Sequence, residues 1–188
     1  MVLLFGAFTF LLVIGAPIIV SLLLSSLLYI NIYMPESALL AAQRVVSGVD
    51  SFTLLAIPFF VLAGVAMNKS GISEKIFDFA RALVGHIPGG LGHVNVLSSM
   101  IFAGMSGSAT ADAAGIGLVA IEAMKREGYS KEYSCAVTVA SSVIGPIIPP
   151  SISMIIYSVA SGTSVGGLFM AGAVPGVLMG IFLMFMCY

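Results

Sequence analysis

The sequence predicts an all-α integral membrane protein in which two helices are interrupted at mid-membrane. Three observations predict it. Of 188 residues, 60% are hydrophobic and 8% charged, whereas a soluble domain carries about a quarter charged residues. Such a chain cannot clothe itself in a water-facing surface, so lipid is the solvent for much of it. Several apolar runs approach the roughly 20 residues that cross a hydrocarbon core of about 30 Å. Two further runs are cut in the middle by segments too polar or too proline-rich to face lipid. The net charge of −1 carries no nucleic-acid footprint.

The first run, Val2 to Ile30, is long enough to span even with Gly15 and Pro17 inside it, because neighbouring helices can satisfy the backbone freed by such residues. It has neither a basic flank nor a small-residue cleavage site, so it predicts an anchor rather than a signal peptide. Asn31 to Glu36 reads as a polar turn. Ser37 reads as the N-cap of a short helix through Val46, with Arg44 near its end. A second run, Phe52 to Met67, stops at Asn68-Lys69-Ser70-Gly71. From Glu74 to Val84, Ile76, Ala80, Leu83 and Val84 share one face, with charges on the others. That pattern predicts an amphipathic helix lying in the membrane interface.

His86 to His93 reads as a Gly/Pro turn whose histidines have no acidic or thiol partners nearby. Val94 to Ala103 is apolar but, at 1.5 Å per residue, reaches only about 15 Å. Gly104-Met105-Ser106-Gly107-Ser108-Ala109-Thr110-Ala111-Asp112 follows, then a second short run, Ala113 to Met124, ending in Lys125-Arg126-Glu127-Gly128. Two half-length helices joined by a small polar tip predict a re-entrant hairpin, about 94–124. Glu132 to Ile144 and Ile152 to Ala160 predict a second interrupted element, about 132–160. The prolines of Gly145-Pro146-Ile147-Ile148-Pro149-Pro150-Ser151 cannot continue a helix. From Leu168 onward the chain is apolar, with Gly172, Gly176 and Gly180 at a spacing that permits close helix packing. It stops at Phe185–Tyr188 inside that run, which predicts a fragment. Six basic residues (Lys69, Lys75, Arg81, Lys125, Arg126 and Lys131) fall on one side and Arg44 on the other. That asymmetry predicts a cytoplasmic face for the six, counted on two spans before Lys69. Cys135 and Cys187 offer no metal spacing and predict no compartment.

An unwound backbone bares carbonyl oxygens that suit a hard cation, and the half-helix after each break begins with free N–H groups that favour an anion. Ser106, Ser108, Thr110 and Ser151 add hydroxyls that serve either purpose. A pair of such breaks can hold a cation and a carboxylate side by side. Asp112 is the one acid placed at membrane depth. Two readings of it stay open: direct ion binding, and compensation of the dipole of the helix it begins.

Several stretches, in order and spacing across the chain, resemble the large membrane subunit of the tripartite ATP-independent periplasmic (TRAP) transporters. They are Ser51 to Phe60, Gly89-Gly90-Leu91, Ser106 to Asp112, Glu127-Gly128-Tyr129, Gly145 to Ser151, and Ala171 to Gly176. The resemblance implies a fold like the ion-transporter superfamily, of which this chain carries the first inverted repeat, in a subunit roughly twice as long. It implies scaffold helices and an interfacial arm over 1–85, a transport-domain repeat over 86–162, and a following transmembrane helix over 163–188. It implies import of organic anions, carboxylates such as C4-dicarboxylates or sialic acids, by sodium-coupled elevator-type alternating access in a cell inner membrane. The implied partners are a small four-helix membrane subunit and a periplasmic substrate-binding protein, with Na⁺ as coupling ion and no other cofactor. By motif match, Ser106, Gly107, Ser108, Gly145, Pro146 and Ile148 look like a sodium site, and Ser108, Thr110, Pro150 and Ser151 face the substrate.

Other functions compete. Gly104-Met105-Ser106-Gly107 matches the G-x-S-G of an intramembrane serine protease, but no histidine base follows it in the chain. An aspartyl protease needs a second acid beside Asp112. An ion channel, or another sodium-coupled anion transporter of the same superfamily, is the alternative, since polar re-entrant tips also build selectivity filters.

Overall fold

The computed structural model describes residues 1–188, apart from the side chains of residues 36 and 38. Every regular element among the described residues is helical. Compact packing divides the chain at Ser51–Phe52.

The first unit holds α1 (Val2–Val13), α2 (Ile18–Tyr33) and α3 (Ala38–Val49). The single span expected over Val2 to Ile30 is therefore two helices packed on each other. Gly15 sits at φ +87°, and Pro17 has no N–H to continue α1. The side of the basic residues was counted with this run as a single helix. Ser21 and Ser25 are buried in this unit, and each hydroxyl donates to a backbone carbonyl of its own helix, Pro17 and Leu22 respectively. Small residues of this kind let two apolar helices approach closely. Ser37 stands at the start of α3 but its side chain makes no cap bond.

The second unit is built around α6 (Leu91–Ser106). Packed on it are α4 (Ala56–Lys69), α5 (Ile72–Val84), α7 (Ala109–Ala114), α8 (Ile116–Arg126), α9 (Lys131–Ser142) and α11 (Val165–Cys187). α10 (Ile152–Ser161) packs on α4 and α11. Among the described residues, the stretch Phe52–Lys69, which includes α4, and α11 are the two segments long and apolar enough to cross a membrane. α6 is longer than expected: its 16 residues reach roughly 24 Å. His93 lies inside it, buried, with Nε2 2.8 Å from the Pro88 carbonyl. This histidine fastens the preceding turn.

α5 does not leave its apolar face to lipid. Ser73, Ile76, Phe77 and Ala80 are buried, and Phe77 and Ala80 share a core with Leu91, Val94, Ala120 and Met124. Arg81 also pairs with Glu127 beyond the end of α8. The helix expected as an interfacial arm is docked on α6 and α8. α11 closes the other side. Added side-chain carbons at Gly172, Gly176 and Gly180 would strike Met154, Ile148 and Met100 respectively, so the glycine ladder is what lets these side chains reach the α11 backbone.

Candidate functional site: the junction of two helix breaks

The first break closes α6. Gly107 takes φ +61°, and its amide bonds the Ala103 carbonyl at 3.1 Å. Ser108 then caps α7: its Oγ accepts from the Ala111 amide at 3.4 Å and pairs with Thr110 Oγ1 at 2.9 Å. The arm after the tip, expected as one helix, is broken again at Gly115. The Asn68 amide of α4 occupies the space a Gly115 side chain would need, and Ser73 Oγ donates to Asn68 Oδ1 at 2.8 Å.

The second break follows α9. The amides of Ile147 and Ile148 both reach the Ile144 carbonyl, at 2.9 and 3.0 Å, and Pro149 and Pro150 add no donors. Ser151 restarts the helix. Its Oγ accepts from the Met154 amide at 3.2 Å, capping α10, and donates to the Pro146 carbonyl at 2.6 Å.

The two breaks touch. The Ile152 amide donates to the Gly107 carbonyl at 3.3 Å. A carbon added to Gly107 would lie 2.7 Å from the Pro150 oxygen, and one added to Gly145 would lie 3.0 Å from the Ser108 carbonyl carbon. Only glycines permit this approach. Main-chain oxygens of Gly107, Pro146 and Pro150 therefore gather where two polypeptide segments cross. The bonds found for the first two use one lone pair each of the two a carbonyl offers.

Of the residues expected to hold an ion or a substrate, Gly107, Ser108, Gly145, Pro150 and Ser151 line this crossing. Ile148 turns its side chain to Gly176 of α11. Ser106 is buried, and its Oγ has no partner among the described residues. It shares a cavity of about 320 Å³ with Gly64, Asn68, Ser108, Thr110 and Ile152, so three of the four expected hydroxyls open on one space between the tip and α4. Asp112 is fully buried; the cap of α7 comes from Ser108.

The sequence reading missed a polar seam between α6 and α9. Asn95 Nδ2 donates to Thr138 Oγ1 at 2.8 Å, and Ser99 Oγ lies 3.1 Å from Ser141 Oγ. All four residues are buried. The signal was present: Asn95 and Ser99 are four apart, and Ser134, Thr138 and Ser141 are spaced four and three, one helical face on each side.

An all-helical chain with many large apolar side chains exposed and its polar breaks packed inside defines a multi-pass membrane protein. The family described as "Tripartite ATP-independent periplasmic transporter, DctM component" matches residues 5–188, and the chain belongs to that family. It is 49% identical over 174 residues to the sialic acid TRAP transporter large permease protein of Vibrio cholerae, covering 93% of this chain and 41% of that one. It is 44% identical over 168 residues to the C4-dicarboxylate TRAP transporter large permease protein of Pseudomonas aeruginosa, covering 89% of this chain and 39% of that one. A third relative, the 2,3-diketo-L-gulonate TRAP transporter large permease protein of Escherichia coli, is 51% identical over 143 residues, 76% of this chain and 34% of that one. The chain thus spans less than half the length of these curated relatives. They are permease proteins and not enzymes, which closes the protease reading of Gly104 to Gly107.

Proposed function

We propose that this chain forms the first half of the ion- and substrate-handling core of a TRAP-type permease subunit that imports an organic anion, a carboxylate such as a C4-dicarboxylate or a sialic acid, with sodium. The observation that carries the reading is the crossing of Gly107–Ser108 with Gly145–Ser151. Main-chain carbonyls converge there beside the unpartnered Ser106 hydroxyl, a donor set of neutral oxygens suited to a hard monovalent cation. The capped N-termini of α7 and α10 direct N–H groups and positive dipole ends to the same region, where a carboxylate gains from them. α6, the tip and α7–α8 act as a re-entrant hairpin, and α9, the break and α10 as one broken transmembrane helix. Both belong to a moving transport domain of the ion-transporter-superfamily kind. The working assembly includes a small four-helix membrane subunit and a periplasmic binding protein in an inner membrane.

The test is uptake into proteoliposomes by the assembled transporter, driven by a sodium gradient and compared with choline replacement. Uptake is expected to saturate with substrate and to need sodium. Ser108→Ala and Ser151→Ala are expected to raise the sodium concentration at half-maximal rate. Non-saturating flux would make the protein a channel. Sodium dependence unchanged in both variants would remove the junction as the ion site.

A further inference from the structure

We propose that the cavity between α4 and the first break receives the substrate, and that Gly64 sets the size it accepts. The assignment rests on import of an organic anion by this permease, and adds the place where the carbon body of that anion sits. The cavity holds about 320 Å³, within the range of roughly 300–1,000 Å³ found for small-molecule sites. Three elements wall it. α4 contributes Phe60 and Val65, α10 contributes Ile152, and the hydroxyls of Ser106, Ser108 and Thr110 come from the first break. Apolar walls with a few polar groups from one element suit an organic ligand, whereas water alone gains little from such walls.

The hydroxyls have protons to give. Ser106 is 2% exposed, and its Oγ has no partner among the described residues. Ser108 Oγ and Thr110 Oγ1 lie 2.9 Å apart, a bond that uses one of their two protons. One proton of that pair and the Ser106 proton are therefore left for oxygen atoms of a ligand. A serine oxygen that turns a lone pair to a cation at the junction keeps its proton, so ion and carboxylate can meet at Ser106. No residue lining the cavity is charged. The charge of the ligand is then met by O–H groups and the coupling ion rather than by a protein cation.

Gly64 is what leaves the space open. It is the buried residue of α4, and a carbon added to it meets only Ser106 Cβ, at 3.8 Å, an ordinary van der Waals distance. Gly107 and Gly145 differ: carbons added there lie 2.7 and 3.0 Å from backbone atoms. Those two glycines let chain cross chain. Gly64 permits no such approach, and glycine inside a helix is less favourable than alanine. The missing side chain is explained by what enters the cavity. A larger residue at this position grows into that space, because no backbone blocks it.

The test is uptake of succinate and of N-acetylneuraminate, a small and a large carboxylate, by the assembled transporter carrying Gly64→Ala or Gly64→Leu. Substrate KM is read at saturating sodium, and the sodium concentration at half-maximal rate is read at saturating substrate. KM is expected to rise with the size of the side chain, by about tenfold or more in Gly64→Leu. Where both probes are carried, the rise is expected to be steeper for N-acetylneuraminate. The sodium value is expected to stay at that of the unsubstituted protein. Alanine favours the helix over glycine, so a rise in Gly64→Ala does not come from a weakened α4. Unchanged KM in both variants overturns the site and leaves sodium-driven import standing. A shift in the sodium value alone also overturns it, since Gly64 would then act on the junction. Uptake of neither probe by the unsubstituted transporter removes the carboxylate reading, and this site with it. Should Gly64→Leu fail to fold, Gly64→Cys is labelled with a thiol reagent, with the unsubstituted chain and its Cys135 and Cys187 as background. Slower labelling in the presence of the transported probe supports the site, and an equal rate overturns it.

Discussion

At the scale of single residues, Gly107 carries two demands at once. Its φ of +61° lies in the left-handed region, where a side chain costs about 1–2 kcal/mol, and its missing side chain is what lets the Pro150 carbonyl approach. Gly128 shares the first demand, at φ +88°, but has nothing within 4 Å of where a side chain would start. The pair separates backbone strain from the crossing. Gly128→Ala is expected to cost about 1 kcal/mol and leave uptake intact. Gly107→Ala is expected to lower the melting temperature further and to cut sodium-driven uptake at least tenfold. Thermal unfolding and uptake on both variants check this, and equal uptake would mean that the contact between the breaks is dispensable. Ser151 is expected to behave between the two. Losing its cap of α10 costs about 1 kcal/mol, and losing the bond that positions the Pro146 carbonyl weakens sodium-driven uptake.

At the scale of elements, magnitudes decide how α5 is held. The Arg81–Glu127 pair is half exposed on both sides, and such pairs contribute about 0–1 kcal/mol. Phe77 is 3% exposed in the core it shares with α6 and α8, and removing a buried Phe costs about 3–5 kcal/mol. Phe77→Ala is therefore expected to release α5, read as new labelling of a cysteine placed at Ala80, whereas Arg81→Ala is not; equal labelling in the two would mean that the ion pair carries the docking. The periodicity of Ile76 and Ala80 made this helix and its face legible in the sequence. Its target was not, because an apolar stripe looks the same whether protein or lipid covers it. The breaks themselves were legible, since Gly-Ser tips and clustered prolines act locally. Helix lengths next to them were not. The run read as Val94 to Ala103 extends to Leu91 and Ser106 in α6, and within it Asn95 and Ser99 find partners on α9 that replace water. Likewise Gly15 and Pro17 were visible but read as tolerated within one span. Which way such a pair resolves depends on what packs beside it.

At the scale of the whole molecule, the question is where a moving body would begin. The resemblance implies a boundary at 85/86, with α4 and α5 in the scaffold. In the packing, the buried face of α5 belongs to the core of α6 and α8. α4 touches α6 and the α7–α8 break through a smaller contact, the Asn68 amide seated at Gly115 and Gly64 facing Ser106. If transport is an elevator motion, α5 is expected to travel with the hairpin, and the sliding surface is expected to lie between α4 and the hairpin. A disulfide can ask this directly. The carbon added at Gly115 lies 2.8 Å from Asn68 Cγ, and one further bond of about 1.5 Å puts the two Cβ atoms within about 4.3 Å, inside the range a disulfide spans. Asn68→Cys with Gly115→Cys is expected to transport in reductant, to stop on oxidation and to recover on reduction, with neither single variant responding to oxidant. Full uptake by the oxidised pair would mean that α4 and the hairpin move as one body. The sliding surface would then lie elsewhere, and the cavity that holds Ser106, Ser108 and Thr110 would keep its walls throughout the cycle.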